Sequence, residues 1–126
     1  THSTSTKAMV WSEVDQKNIF FDQQERHPDD NLIETSINTR TATGKITITS
    51  IETGDVYNFN IFDYEVRPEQ ITPDGTKYDT FIIDCIEVNT GTKARIVFMS
   101  YQDSPFRMIT VFMAEEQLAV YMDTER

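Results

Sequence analysis

The chain has 126 residues, a formal net charge of −10 from 21 Asp and Glu against 11 Lys and Arg, and 38% hydrophobic residues. That length suits one domain with a core of its own. The acidic balance sets nucleic acid aside, because neutralising phosphates takes clustered Lys and Arg, and no apolar run approaches the ~20 residues that a membrane helix needs.

The N-terminal THSTST is polar and offers nothing to pack. Residues 1–7 are expected to be a disordered tail, and residues 8–126 a single β domain. A Ser/Thr tether of this kind slightly favours an exported protein, periplasmic or extracellular, over a cytoplasmic one. The next stretch carries Met9, Val10, Trp11, Ile19, Phe20 and Phe21. It predicts one strand, over 8–11 or over 18–21, with a short helical turn from Ser12 as N-cap between them. His27 follows in an Arg-His-Pro-Asp-Asp loop with Asp29 and Asp30. A metal site wants several converging ligands, so this loop reads as solvated.

From Asn31 onward polar and apolar residues alternate, as in Lys45-Ile46-Thr47-Ile48-Thr49. Alternation rich in β-branched and aromatic residues is the strand signal. Strands are expected over 31–39, 44–51, 56–66, 77–88, 93–101, 106–113 and 118–123. Gly54, Gly91 and the Pro73-Asp74-Gly75 turn punctuate them, each glycine supplying the positive φ of a tight hairpin. Pro68 is expected to end its strand, having no N–H for the ladder. The glycine-free stretch 114–117 predicts a longer turn or a single helical turn.

Neighbouring strands joined by short links make an all-β antiparallel meander of about eight strands. It is expected to form a small closed or half-open barrel, with a β-sandwich as the alternative. The early Trp11 followed by eight strands in ~120 residues resembles the layout of small calycin-type barrels. The usual Gly-x-Trp opening is absent, since Val10 and Ser12 flank Trp11. Several strands are apolar on both sides: Phe81, Ile83 and Cys85 on one face, Ile82, Ile86 and Val88 on the other. Such strands are covered on both sides. The expected cover is the segment 8–21, with a homodimer as the alternative.

Catalytic candidates are few. Cys85 lies in an apolar run beside Asp84 and Glu87, the setting of a buried thiol rather than of a nucleophile. The carboxylates Asp63, Glu65, Asp84, Glu115 and Glu116 are those of an acidic surface, Asp74 and Asp79 belong to a turn, and no phosphate-binding glycine loop can be drawn. No catalytic residue, metal or cofactor is assigned. Two cations stand out within apolar strands: Arg95 beside Val97 and Met99, and Arg107 beside Ile109 and Val111. If their face lined a barrel, either would meet a ligand carboxylate bidentately, with Trp11 at the mouth. The first functional expectation is a non-catalytic protein-interaction or structural β module that can self-associate. The alternative is a barrel holding a small, partly apolar, anionic ligand through Trp11, Arg95 and Arg107. A hydrolase comes last.

Overall fold

A computed structural model gives the structure, which describes residues 6–20, 31–51, 53–102, 106–114 and 116–124. Of these, 6–9, 18, 20, 106, 107 and 116–124 are described by their backbone alone. The strands are β1 (Thr6–Ser12), β2 (Lys17–Phe20), β3 (Asn31–Asn38), β4 (Thr43–Ser50), β5 (Val56–Ile71), β6 (Lys77–Glu87), β7 (Lys93–Tyr101), β8 (Phe106–Met113) and β9 (Glu116–Thr124). They form one sheet in the order β2-β1-β3-β4-β5-β6-β7-β8-β9. From β3 to β9 every neighbour is antiparallel, the expected meander. The sheet curls until β9 returns to within 8 Å of β1 between Cα atoms, but no ladder joins them. The sheet is therefore not closed into a barrel.

The N-terminal segment departs from expectation in two ways. Both 8–11 and 18–20 fall on strands, residue 21 lying outside the described residues, since β1 and β2 form a hairpin, and β1 then runs parallel to β3. What was expected to cover the wall is instead part of it. The link between β1 and β2 is a hairpin turn, with Gln16 at φ 56°, rather than a helical one. Ser12 keeps a capping role: its Oγ accepts the Asp15 N–H at 3.0 Å. The strand expected to begin at residue 8 begins at Thr6.

Pro68 does not end its strand. β5 continues to Ile71, and the ladder with β6 skips from Arg67 to Gln70. The missing N–H falls in this bulge, where no ladder bond is required. Glu69 takes φ 53° there, and its N–H is received by Asp79 Oδ1 at 2.8 Å. The link after β8 is also shorter than expected. Met113 pairs with Glu116, and Ala114 takes φ 50° where a glycine would rest more easily. Gly44 is needed for room: a Cβ there would lie 2.1 Å from the Ser36 carbonyl oxygen.

Alternation sends one side chain of every pair into the curl. Val10, Ile33, Ile37, Ile46, Ile48, Phe59, Ile61, Ile83, Cys85, Ile96, Phe98, Ile109 and Val111 fill it with Phe81. Each Ile or Phe removed from water is worth about 1.5–3 kcal/mol. Phe81 stacks on Tyr64 at 5.6 Å between ring centres and meets Phe98 edge-on at 6.5 Å. The Tyr64 hydroxyl donates to the Thr39 carbonyl at 2.9 Å, tying the β3–β4 turn to β5.

Candidate interaction surface

The same alternation sends the other residues of β5–β8 outward, where the register lines them up in rows across the strands. Asp63, Asp84, Arg95 and Phe112 form one row, and Glu65, Ile82, Val97 and Thr110 the next. Arg67, Thr80, Met99 and Met108 form a third. A bulge decides the shape of this face. Ile61 pairs with Cys85 and Asp63 with Asp84, so Phe62 is the extra residue, and it stands 49% exposed. Phe62, Ile82, Val97 and Phe112 line an open depression of about 830 Å³, with Arg67, Asp84, Lys93 and Arg95 among its polar walls. Its apolar floor is what the greasy outer sides of β6–β8 become once β1 and β2 are used within the sheet itself.

Two ion pairs border the depression. Arg95 grips Asp84, its cross-strand partner, through Nε to Oδ1 at 2.8 Å and Nη2 to Oδ2 at 3.3 Å. Arg67 holds Glu65, two residues back on the same strand, through Nε to Oε2 at 2.7 Å and Nη2 to Oε1 at 3.2 Å. These hydrogen bonds raise the pKa of both guanidinium groups and lower that of Glu65. Asp63 lies opposite Asp84 in the register, a like-charge neighbour that the Arg95 charge offsets.

Comparisons with protein-family models, with curated proteins and with solved structures found no match to this chain.

The residues singled out from sequence are not brought together. Arg95 points outward, with its forked edge taken by Asp84. Trp11 is 37% exposed on β1, beside Asn18 and Ser36, while its neighbour Val10 enters the core. Arg107 pairs with Ser100 along the backbone, in a different row from Arg95, and its side chain lies outside the described residues. His27, Asp29 and Asp30 also lie outside them.

The remaining polar groups serve the fold. Cys85 is fully buried, donates weakly to the Ala94 carbonyl at 3.7 Å, and has its pKa pushed up to about 12 by burial and then by Asp84. A thiol so held is neutral at pH 7 and makes no nucleophile. Glu87 is buried beside the turn that follows β6. Its carboxylate accepts the N–H groups of Asn89 at 2.9 Å and Thr90 at 3.0 Å, and the Thr90 hydroxyl at 2.9 Å. Those bonds lower its pKa, the Asn89 N–H first. Asp74 accepts the Thr72 hydroxyl and the Thr76 N–H, while Asp79 is engaged by Glu69, so the two do not converge on a cation. Among the described residues no group of His, Cys, Asp and Glu is placed to hold a metal.

Sequence reasoning missed Phe62 and Glu87. A bulge leaves no mark in the alternation that precedes it, so Phe62 had no signal. Glu87 had one: a carboxylate two and three residues before Asn89 and Thr90, poised to accept the free N–H groups of a turn.

Proposed function

We propose that this protein is a non-catalytic protein-interaction module that docks its partner on the outer face of β5–β8. The observation that carries this reading is Phe62, raised and exposed on the outside of the curled sheet beside the half-buried Val97 and Phe112, with Ile82 buried at the floor between them. Apolar patches on a solvent side mark interaction surfaces. The side-chain chemistry supports the same reading, since the cysteine is buried and neutral and the carboxylates that stand out are spent on turns and ion pairs. The ligand-binding alternative is drawn to the same place. The inner face is filled by side chains, whereas a depression of about 830 Å³ is within the size range of small-molecule sites.

Photo-cross-linking in the producing cells tests the proposal. Benzoylphenylalanine replaces Phe62 in one variant and Val88, 51% exposed away from the depression, in another. Protein adducts at position 62 and not at position 88 are expected. Equal labelling at both positions, or none at position 62, overturns the reading.

A further inference from the structure

We propose that the outer side of β1–β5 binds a neutral saccharide, with Trp11 as the platform on which a sugar ring stacks. This site lies on the other half of the sheet from the depression and does not depend on the interaction reading above. Placement is the first argument. Register lines up Trp11 on β1, Ser36 on β3, Lys45 on β4 and Asn60 on β5, with Glu34, Thr47 and Asn58 in the row beside them. These positions alternate with the buried Val10, Thr35, Ile46 and Phe59, so they share the outer face. From Trp11 to Asn60 the row crosses three strand spacings, roughly 14 Å, longer than a single sugar ring.

Unspent hydrogen-bonding groups are the second. The Trp11 indole, 37% exposed, the Lys45 ammonium and the Asn60 amide have no side-chain partner among the described residues. Thr47 Oγ1 donates to Asn58 Oδ1 at 3.1 Å, which fixes that amide and leaves its NH2 to donate elsewhere. Only Ser36 is used up, its Oγ donating to Glu13 Oε2 at 3.0 Å. Asparagine is disfavoured within strands, yet β5 carries Asn58 and Asn60 on one exposed side. Asn60 gains no side-chain bond inside the protein in return. A break in local propensity without a structural gain marks a functional position.

Charge selects the ligand class. The chain has a net charge of −10, but these two rows hold one carboxylate, Glu34, and one ammonium, Lys45. A phosphate backbone is repelled by the rest of the molecule. A protein partner would bring apolar anchors, for which these rows offer Trp11 alone. A saccharide matches what is present. Its C–H edges meet the negative face of an indole, and its hydroxyls both donate to and accept from amides and hydroxyls.

Titration of the full chain with neutral oligosaccharides tests this. Fragments of β-glucan, xylan, mannan and chitin stand for free polysaccharides, and a high-mannose glycan for a protein-bound one. Trp11 is the only tryptophan, so its fluorescence reports occupancy directly. A saturable change with at least one of these sugars is expected. By calorimetry, Trp11→Ala should weaken that binding roughly tenfold or more, and Asn60→Ala roughly threefold or more. Trp11→Phe should recover part of the loss, and Phe62→Ala should bind as wild type, all with unchanged circular dichroism. No saturable change with any sugar, or binding that survives Trp11→Ala undiminished, overturns the proposal. So does an equal loss in Phe62→Ala, which would put the sugar in the depression. Cross-linking at position 62 bears only on the interaction reading, so either can fail while the other stands.

Discussion

Replacing Thr35 by Val should make this protein more stable. Thr35 is 2% exposed on β3, and its hydroxyl finds no hydrogen-bond partner. Its register partners, Val10 on β1 and Ile46 on β4, are fully buried and apolar. A buried hydroxyl without a partner costs about 1–3 kcal/mol. Valine has nearly the same shape, so the packing is kept while the penalty goes. The expected gain is about 1–2 kcal/mol, or roughly 3–8 °C in Tm for a domain of this length. In urea, with a slope of about 1–3 kcal/mol per M, the midpoint should rise by roughly 0.5–1.5 M at unchanged slope. Far-UV circular dichroism through a urea series reads this directly. Thr35→Ala is the control: it also removes the hydroxyl but leaves a void, so it should be no better than wild type. A Thr35→Val protein that is less stable than wild type would refute the reasoning, because the hydroxyl would then be contributing a bond.

Other substitutions follow from the backbone and from the ionisable groups. Gly44→Ala should cost about 3 kcal/mol or more in chemical unfolding, because its Cβ meets the Ser36 carbonyl oxygen. Gly91→Ala, at φ 72° in open space, should cost only about 1 kcal/mol. Ala114→Gly relieves a left-handed alanine in a two-residue hairpin and should add about 0.5–1 kcal/mol. The folded-state pKa values of Glu65, Asp74 and Glu87 are lowered. Each therefore contributes stability that is present above its unfolded pKa and lost as pH falls through the folded value. Melting temperature should drop below about pH 4.5, the ordinary glutamate value, and Glu87→Gln should lessen that drop. For Cys85 the sign is opposite: a thiol raised to about 12 stabilises fully below its ordinary value of 9.0 and loses that contribution as pH climbs toward 12. At neutral pH an aromatic disulfide reagent should label Cys85 only as fast as the protein unfolds.

The architecture was legible wherever a residue's neighbours along the chain decide its conformation. The alternation in Lys45-Ile46-Thr47-Ile48-Thr49 places Ile46 and Ile48 in the core, and the Pro73-Asp74-Gly75 turn closes its hairpin with the Gly75 N–H on the Thr72 carbonyl. Alternation cannot say which face of a two-sided strand becomes the inside. Arg95 sits among Val97 and Met99 on a side as apolar in sequence as its opposite, and only the direction of curl puts it outside. Bulges are illegible for a related reason. They are set by the fit between two ladders, so the outward turn of Phe62 and the passage of Pro68 through β5 depend on β6. The parallel pairing of β1 with β3 joins segments on either side of residues 21–30, which no local pattern connects.

Hydroxyl-radical footprinting of the full chain, dilute and then concentrated or in native extract, bears most directly on the outer face. If the face binds protein, oxidation of Phe62, Met99 and Phe112 should fall on complex formation, while Val88 and Ile71 keep their reactivity. Undiminished oxidation of Phe62 and Phe112 in a complex of demonstrated mass would show that binding occurs elsewhere.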